Sequence, residues 1–431
     1  MLKILLIGLI LYIPNQLHVP QPINIKGINI FNLMLLLAYF LHLAQKPEVA
    51  VKAPMRGKIG FYYFVILLSV ISAMIHGSHS IVGDITVGKT LVTYSLLYFL
   101  FYYACKDLKD IRVFLFTIGF VTMMVGTEIL REKLAAGLGS QYRAAGPFSV
   151  DQSAANSAGV FMALYCPLFL GLIFGVGKKQ LIKLMSIGGY LLSAMAIFYT
   201  HSRQSYAALT VTSVFFGMRK SLTLAVLIIV LALNYEAWAP ESVVKRIAGT
   251  TSQDSRYGEQ QLDESTESRF VFWAGAWRLI KSTPSGIGLN QFQNRIVPYL
   301  PEWVRARDAH NFFVRFTTEA GIQGIISLLL LLSGFTALGI RLVKKGKQAE
   351  DRFAQSIGFA YIASVLALVM GNVFSSTFGA GAVTGNFWIL SGLIARYAAI
   401  LEEQHPSPKP QLFRQPLRPS ENDQTFARKQ F

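Results

Sequence analysis

Four short polar groups interrupt an otherwise apolar chain, and each carries a residue able to handle phosphate or a proton. The first is Arg143-Ala-Ala-Gly146-Pro147-Phe148, with Asn156 a little further on. The second is His201-Ser202-Arg203-Gln204-Ser205, the third is Arg269, and the fourth is Asp308-Ala309-His310-Asn311. A guanidinium pairs with two phosphate oxygens at once through its planar fork. That attraction is far stronger in a partly dehydrated site than in water. An imidazole with an ordinary pKa near 6.5 can accept a proton near neutrality. No acidic pair with metal-ligand spacing accompanies these groups, so they suit a diphosphate bound by cations, with no metal and no cofactor.

The elements that must position them are membrane helices. Of 431 residues 53% are apolar and only 15% charged, against about 25% in soluble domains, and the deficit lies in long uncharged runs. Such runs fall near 2–13, 27–44, 59–76, 86–105, 111–130, 153–175, 182–200, 204–217, 220–238, 312–340, 354–372 and 386–402, which predicts an all-α polytopic protein of about twelve spans. With the N-terminus inside, the inner connections hold clusters such as Lys178, Lys179 and Lys183, or Arg341, Lys344, Lys345 and Lys347. The short outer ones hold few: Lys26, Lys89, Arg131, Lys133, Arg143 and Arg203. The bias obeys the positive-inside rule and accounts for most of the net charge of +17, so nucleic acid is not an expected partner; the lipid bilayer is. Cys105 and Cys166 lie at the end of one run and inside another, which argues against a disulfide or a reactive thiol.

This layout divides the chain into spans over 1–238, a long outer loop over 239–310, spans over 311–402, and a proline-rich cytoplasmic tail over 403–431 that is expected to be disordered. It also puts all four polar groups on one side of the bilayer. Taken singly, each has a plainer explanation. Arg203 could snorkel to headgroups, His310 could be an interfacial hydrogen-bonding residue, and Arg315 with Glu319, four apart, could neutralise each other. The segment 265–282 reads as an amphipathic helix on the membrane surface, anchored by Trp273 and Trp277 and ended by Pro284 and Gly286.

Several of these residues form a recognisable set. Ser268-Arg269 through Trp277, then Pro284-Ser-Gly286-Ile-Gly288-Leu-Asn-Gln-Phe292, Ala309-His310-Asn311 and Glu319-Ala-Gly321-Ile-Gln-Gly324 resemble the signature of the O-antigen ligase and polymerase superfamily. Thr200-His-Ser202-Arg203 resembles its Ser-Arg-Gly turn, with Gln204 in place of the glycine, and the 143–148 group resembles its earlier outer-loop motif. The likeness spans about residues 140–330. It implies a glycosyltransferase C-type helical fold in the bacterial inner membrane, with the active site facing the periplasm. It also implies an undecaprenyl-diphosphate-linked glycan donor, an acceptor that is a glycan or the lipid A core, and metal-independent, inverting transfer. The catalytic residues carried over are Arg203, Arg269 and His310; Arg143, His201, Ser202 and Asn311 are expected to bind substrate. An O-antigen ligase and a repeat-unit polymerase of O-antigen or exopolysaccharide both fit, as does a protein O-oligosaccharyltransferase. A twelve-helix transporter would instead show repeated halves around a mid-membrane site.

The charge bias makes a topological prediction. Single cysteines placed at 143 or within 239–310 should react with an impermeant thiol reagent in whole cells. Cysteines at 52 or 347 should react only after the inner membrane is opened. The reverse pattern would remove the basis for an outer-face site.

Overall fold

The apolar runs are helices in the computed structural model, which describes residues 1–19, 29–45, 51–149, 154–220, 222–248, 251–253, 260–262, 264–302 and 304–405. The first set comprises α1 (Leu2–Tyr12), α2 (Ile30–Ala44), α3 (Arg56–Ile75), α4 (Ile81–Ala104) and α5 (Leu108–Ala136), then α6 (Ala155–Gly175), α7 (Gln180–Tyr199), α8 (Arg203–Lys220) and α9 (Leu222–Leu233). The long connection then carries α10 (Glu241–Ala248), a hairpin of β1 (Thr251–Gln253) and β2 (Gln260–Leu262), α11 (Glu264–Ser282) and α12 (Phe292–Arg295). The last set is α13 (Phe312–Ala320), α14 (Ile322–Gln348), α15 (Arg352–Val373) and α16 (Gly381–Gln404).

Helix starts are marked by residues that can satisfy free backbone amides. Asn29, Ser80, Asp107, Asn311 and Asp351 each accept a hydrogen bond from the N–H three residues on, at 2.8–3.1 Å, and so begin α2, α4, α5, α13 and α15. A cap of this kind stabilises a helix by about 1 kcal/mol. In the centre α6 packs on α7 and α15, while α16 lies against α4 and α14. The outward faces stay apolar: Leu36, Phe40, Phe64, Leu67, Leu184, Leu191, Leu227 and Leu329 are all exposed. A surface like this is suited to hydrocarbon rather than water. Both cysteines are buried and unpaired.

Among the described residues seven helices (α3, α4, α5, α6, α7, α14 and α15) are long and apolar enough to cross a membrane, which supports a polytopic membrane protein. The helices near residues 2–15, 30–44 and 222–233 are apolar but shorter. Two runs depart from the sequence expectation. The one over 312–340 is not a single helix: Gly321, at φ +75°, breaks it into α13 and α14. The one over 220–238 ends at Leu233 and gives way to a 3-10 turn at Tyr235–Ala237. The tail beyond residue 405 lies outside the described residues.

The break at Gly321 is where the long connection docks. Ile287 N and Gly288 N donate to the carbonyls of Thr318 and Glu319 (3.1 and 2.9 Å), Ile322 N donates to Pro284 O (3.0 Å), and Leu289 N donates to Ser69 O of α3 (2.9 Å). Asn290 and Gln291 then donate to the buried carboxylate of Asp84 on α4, at 3.2 Å for Asn290 and 3.0 Å to each oxygen for Gln291. Gly288 (φ +101°) lies so close to α3 that a Cβ there would fall 2.3 Å from Ala73 Cα. The Pro-Ser-Gly-Ile-Gly-Leu-Asn-Gln stretch is thus a structural latch between the connection and the helix bundle.

Gly288→Ala should combine a disfavoured left-handed backbone with overpacking, destabilising the protein by about 1–3 kcal/mol or more. Gly139→Ala, where a Cβ would meet nothing within 4 Å, should be silent. Thermal unfolding of the two purified variants in the same detergent checks this, and equal melting temperatures would refute the latch.

Candidate active site

The site is assembled around the abrupt end of α7. A helix terminus leaves backbone carbonyls without intrahelical partners, and here three of them are filled from other segments. Tyr199 O accepts from Ala144 N (3.1 Å), Thr200 O from Arg143 Nε (3.3 Å), and His201 O from Arg246 Nε of α10 (3.4 Å). The turn reverses tightly enough to start α8 at Arg203 because His201 adopts the left-handed conformation, φ +48°. Arg143 also donates through Nη2 to Asn156 Oδ1 of α6 at 2.7 Å. Glu132, near the end of α5, shapes the same segment: its carboxylate accepts from Ala145 N (2.9 Å), Gly146 N (2.6 Å) and the Tyr142 hydroxyl (2.6 Å).

The second half is the turn into α13. Asp308 Oδ2 accepts from His310 N (3.2 Å) and Oδ1 from Arg315 Nη1 (3.2 Å), while Arg315 Nε reaches Glu319 Oε1 (3.2 Å). Glu319 also receives Phe292 N at 3.3 Å. His310 is left-handed as well, φ +49°. Trp273 Nε1 of α11 donates to Ala309 O at 2.9 Å, so this tryptophan ties α11 to the His310 turn rather than serving as a surface anchor. Trp277 is exposed, with the Lys281 ammonium 5.4 Å from its ring centre.

Arg269 joins the two halves. It lies one helical turn before Trp273, on the same face of α11, and its charge acts on both Arg143 and His310. Burial pulls the Arg143 guanidinium below its ordinary range, and the neighbouring charges of Arg246, Arg203 and Arg269 add to this against an opposing Tyr206. Arginine stays protonated all the same. The His310 imidazole is lowered from 6.5, first by burial and then by Arg269 and Arg307, with Asp308 pulling the other way. His201 is pushed down to about 4 by burial and by Lys133, Arg143 and Arg246. The site therefore combines a group of permanent cations with two imidazoles that are neutral near pH 7.

Electrostatic influence links Arg143 with Arg203 and Arg269, His201 with Arg143, and His310 with Arg269. Two other expected binding residues have structural duties: Asn311 Oδ1 caps α13 by accepting from Val314 N, and the buried Ser202 hydroxyl accepts from Ser205 Oγ at 3.0 Å. Sequence reasoning overlooked Arg246, Glu132 and Lys133. Arg246 sits on a short helix where Val243, Val244 and Ile247 form the apolar side, a pattern available in the sequence. Glu132 and Lys133 follow an apolar run directly and read as boundary charges. Among the described residues no three His, Cys, Asp or Glu side chains stand together as a metal site.

Residues 188–329, about a third of the chain, match the family model described as O-antigen ligase. The match supports the O-antigen ligase superfamily over that segment, which contains Arg203, Arg246, Arg269 and His310 but not Arg143. No curated protein matches the chain.

The opposing influence of Asp308 on His310 has a measurable sign. The His310 imidazole should titrate below pH 6.5 by NMR in the intact protein. Asp308→Asn, which removes the one carboxylate holding it up, should move that titration lower still. An upward shift would mean that the Asp308 charge does not act on the imidazole.

Proposed function

We propose that this protein transfers a glycan from a polyprenyl diphosphate, of the undecaprenyl type, to an acceptor hydroxyl at the outer face of the membrane, as a glycosyltransferase of the O-antigen ligase and polymerase kind. The observation that carries this reading is the end of α7, where Arg143 and Arg246 bond the carbonyls of Thr200 and His201 and Arg203 begins the next helix, with Arg269 acting electrostatically on both Arg143 and His310. The family match over 188–329 agrees with it.

The donor's diphosphate lies against Arg203 and Arg269, with Arg143 and Arg246 behind them. The acceptor oxygen attacks the anomeric carbon while the bond from that carbon to the diphosphate oxygen breaks, and configuration inverts. His310 accepts the proton lost by the acceptor. The developing negative charge on the departing diphosphate is met by guanidinium groups already in place, which is the economical form of electrostatic catalysis and fills the role a divalent metal plays elsewhere. A cavity of about 310 Å³ beside α13 is lined by Phe312, Arg315 and Glu319 with Thr86, Leu91 and Leu289, and in this reading it receives the acceptor.

Arg203→Lys and Arg269→Lys keep the charge but lose the fork. At about 1.5–3 kcal/mol for a charge-assisted hydrogen bond, each should slow transfer roughly ten- to a hundredfold and weaken donor binding. His310→Ala should suppress turnover with donor affinity nearly unchanged. A base must be unprotonated to work, and the His310 pKa is lowered. The wild-type rate should therefore hold down through pH 6.5 and fall only below it, a limb that His310→Ala lacks. Donor affinity and turnover measured separately, with a defined lipid-diphosphate glycan, check all of this. Full activity in both lysine variants would remove the diphosphate site.

A further inference from the structure

Lys133 is completely buried near the end of α5, yet every partner it has among the described residues is neutral. Its ammonium donates to Ser140 O (2.5 Å), Tyr142 O (3.1 Å) and Ser140 Oγ (3.2 Å), and stands 3.5 Å from His201 Nε2. The Tyr199 ring lies 5.8 Å away. Its three protons go to the three nearer oxygens, and an ammonium has no lone pair, so an N–H on Nε2 would point at a cation and is disfavoured. Nε2 is therefore the bare nitrogen of a neutral ring, and the ring proton sits on Nδ1. His201 is 1% exposed, and its Nδ1 is buried with no hydrogen-bond partner among the described residues. Two more buried donors in the same condition belong to the adjoining elements: Gln204 Nε2 in the first turn of α8, and Ser242 Oγ one turn before Arg246 on α10. An unsatisfied buried donor is costly, and three of them around one helix end mark a place prepared for an acceptor-rich ligand.

We propose that Lys133 is a positioning residue that locks His201 as its neutral Nδ1–H tautomer, and that this Nδ1 donates a hydrogen bond to an oxygen of the diphosphate held by the arginines. The inference rests on the reading of the arginine cluster as a lipid-diphosphate site. A neutral donor is well suited there, because it binds an oxygen without adding to the repulsion among Arg143, Arg203, Arg246 and Arg269. Lys133 supplies the tautomer from behind, and the same ammonium gathers the carbonyls of residues 140 and 142, which carry the chain to Arg143.

The test uses the full-length protein labelled with ¹⁵N-histidine, the His201 signals being assigned by their loss in His201→Asn. In the ligand-free wild type the proton should be on Nδ1, and Lys133→Met, which has no donor, should release it to both nitrogens; a wild-type proton on Nε2 overturns the proposal. Farnesyl diphosphate, a lipid diphosphate without glycan, should shift the Nδ1 signal on titration. His201→Asn keeps an N–H near the Nδ1 position and should bind this probe within about threefold of wild type. His201→Gln places its N–H near Nε2 instead and should weaken binding by about tenfold, the scale of one neutral hydrogen bond. If Arg203→Lys and Arg269→Lys weaken binding while Nδ1 is unresponsive, this inference fails and the cluster's role stands. If those arginine variants bind as wild type does, the diphosphate reading fails and this inference with it.

Discussion

The carboxylate of Glu319 holds together the parts of the protein that must meet at the site. It is buried, and it takes Arg315 Nε from its own helix and Phe292 N from the long connection. Through Arg315 the same charge reaches Asp308, and through Asp308 the backbone of His310. Glu319 is buried while Arg315 is partly exposed and also paired with Asp308, so the larger cost falls on removing Arg315, which would leave the carboxylate charged and dry. The pair is best understood as a register device. It allows the long connection to meet α13 in one arrangement, and the glycine latch against α3 and Asp84 closes the other side.

A second constraint is electrostatic. Gathering arginines in a half-buried place is unfavourable: the Arg143 guanidinium is pulled down by burial first and then by the charges of Arg246, Arg203 and Arg269. The protein offsets part of the cost with the end of α7, whose carbonyls carry the negative pole of the helix. Arg143 and Arg246 each bond one of those carbonyls, and Asn156 takes the other face of Arg143. The cations are thereby fixed by oriented neutral dipoles, which leaves their attraction for a ligand's charge largely intact. Both histidines sit in left-handed turns beside them, a backbone state that costs of order 1 kcal/mol or more for a residue with a Cβ and that clusters at functional sites.

Burial acts on the two imidazoles in the same direction with different partners. His310 has a carboxylate neighbour that partly restores its basicity, whereas His201 faces only cations among the charges acting on it. Under the proposed function the first takes a proton and the second remains neutral. Asp308 stands beside the first and Lys133 beside the second, one residue from each half of the site.

The amino-acid sequence by itself determined the membrane character, the placement of most helices and the candidates Arg203, Arg269 and His310. Apolar run length and flanking charge are local properties, and arginine and histidine stand out against such a background wherever they fall. It placed the Arg315–Glu319 pair correctly from spacing alone, since i and i+4 always share a helix face. What only the tertiary structure decided is long-range. Gly321 belongs to a recognisable motif in the sequence, but only the packing of the 284–289 stretch against it shows that no Cβ can be accommodated there. Trp273 reads as an interfacial anchor until its indole N–H is found on Ala309 O. Arg246, Glu132 and Lys133 are ordinary charges in sequence; Arg246 bonds a carbonyl 45 residues away, Glu132 the backbone 13 and 14 residues on, and Lys133, beyond its partners 7 and 9 residues on, stands against His201, 68 residues away. Their meaning comes from the bundle bringing the end of α7 against the end of α5 and the face of α10, an event no local pattern encodes.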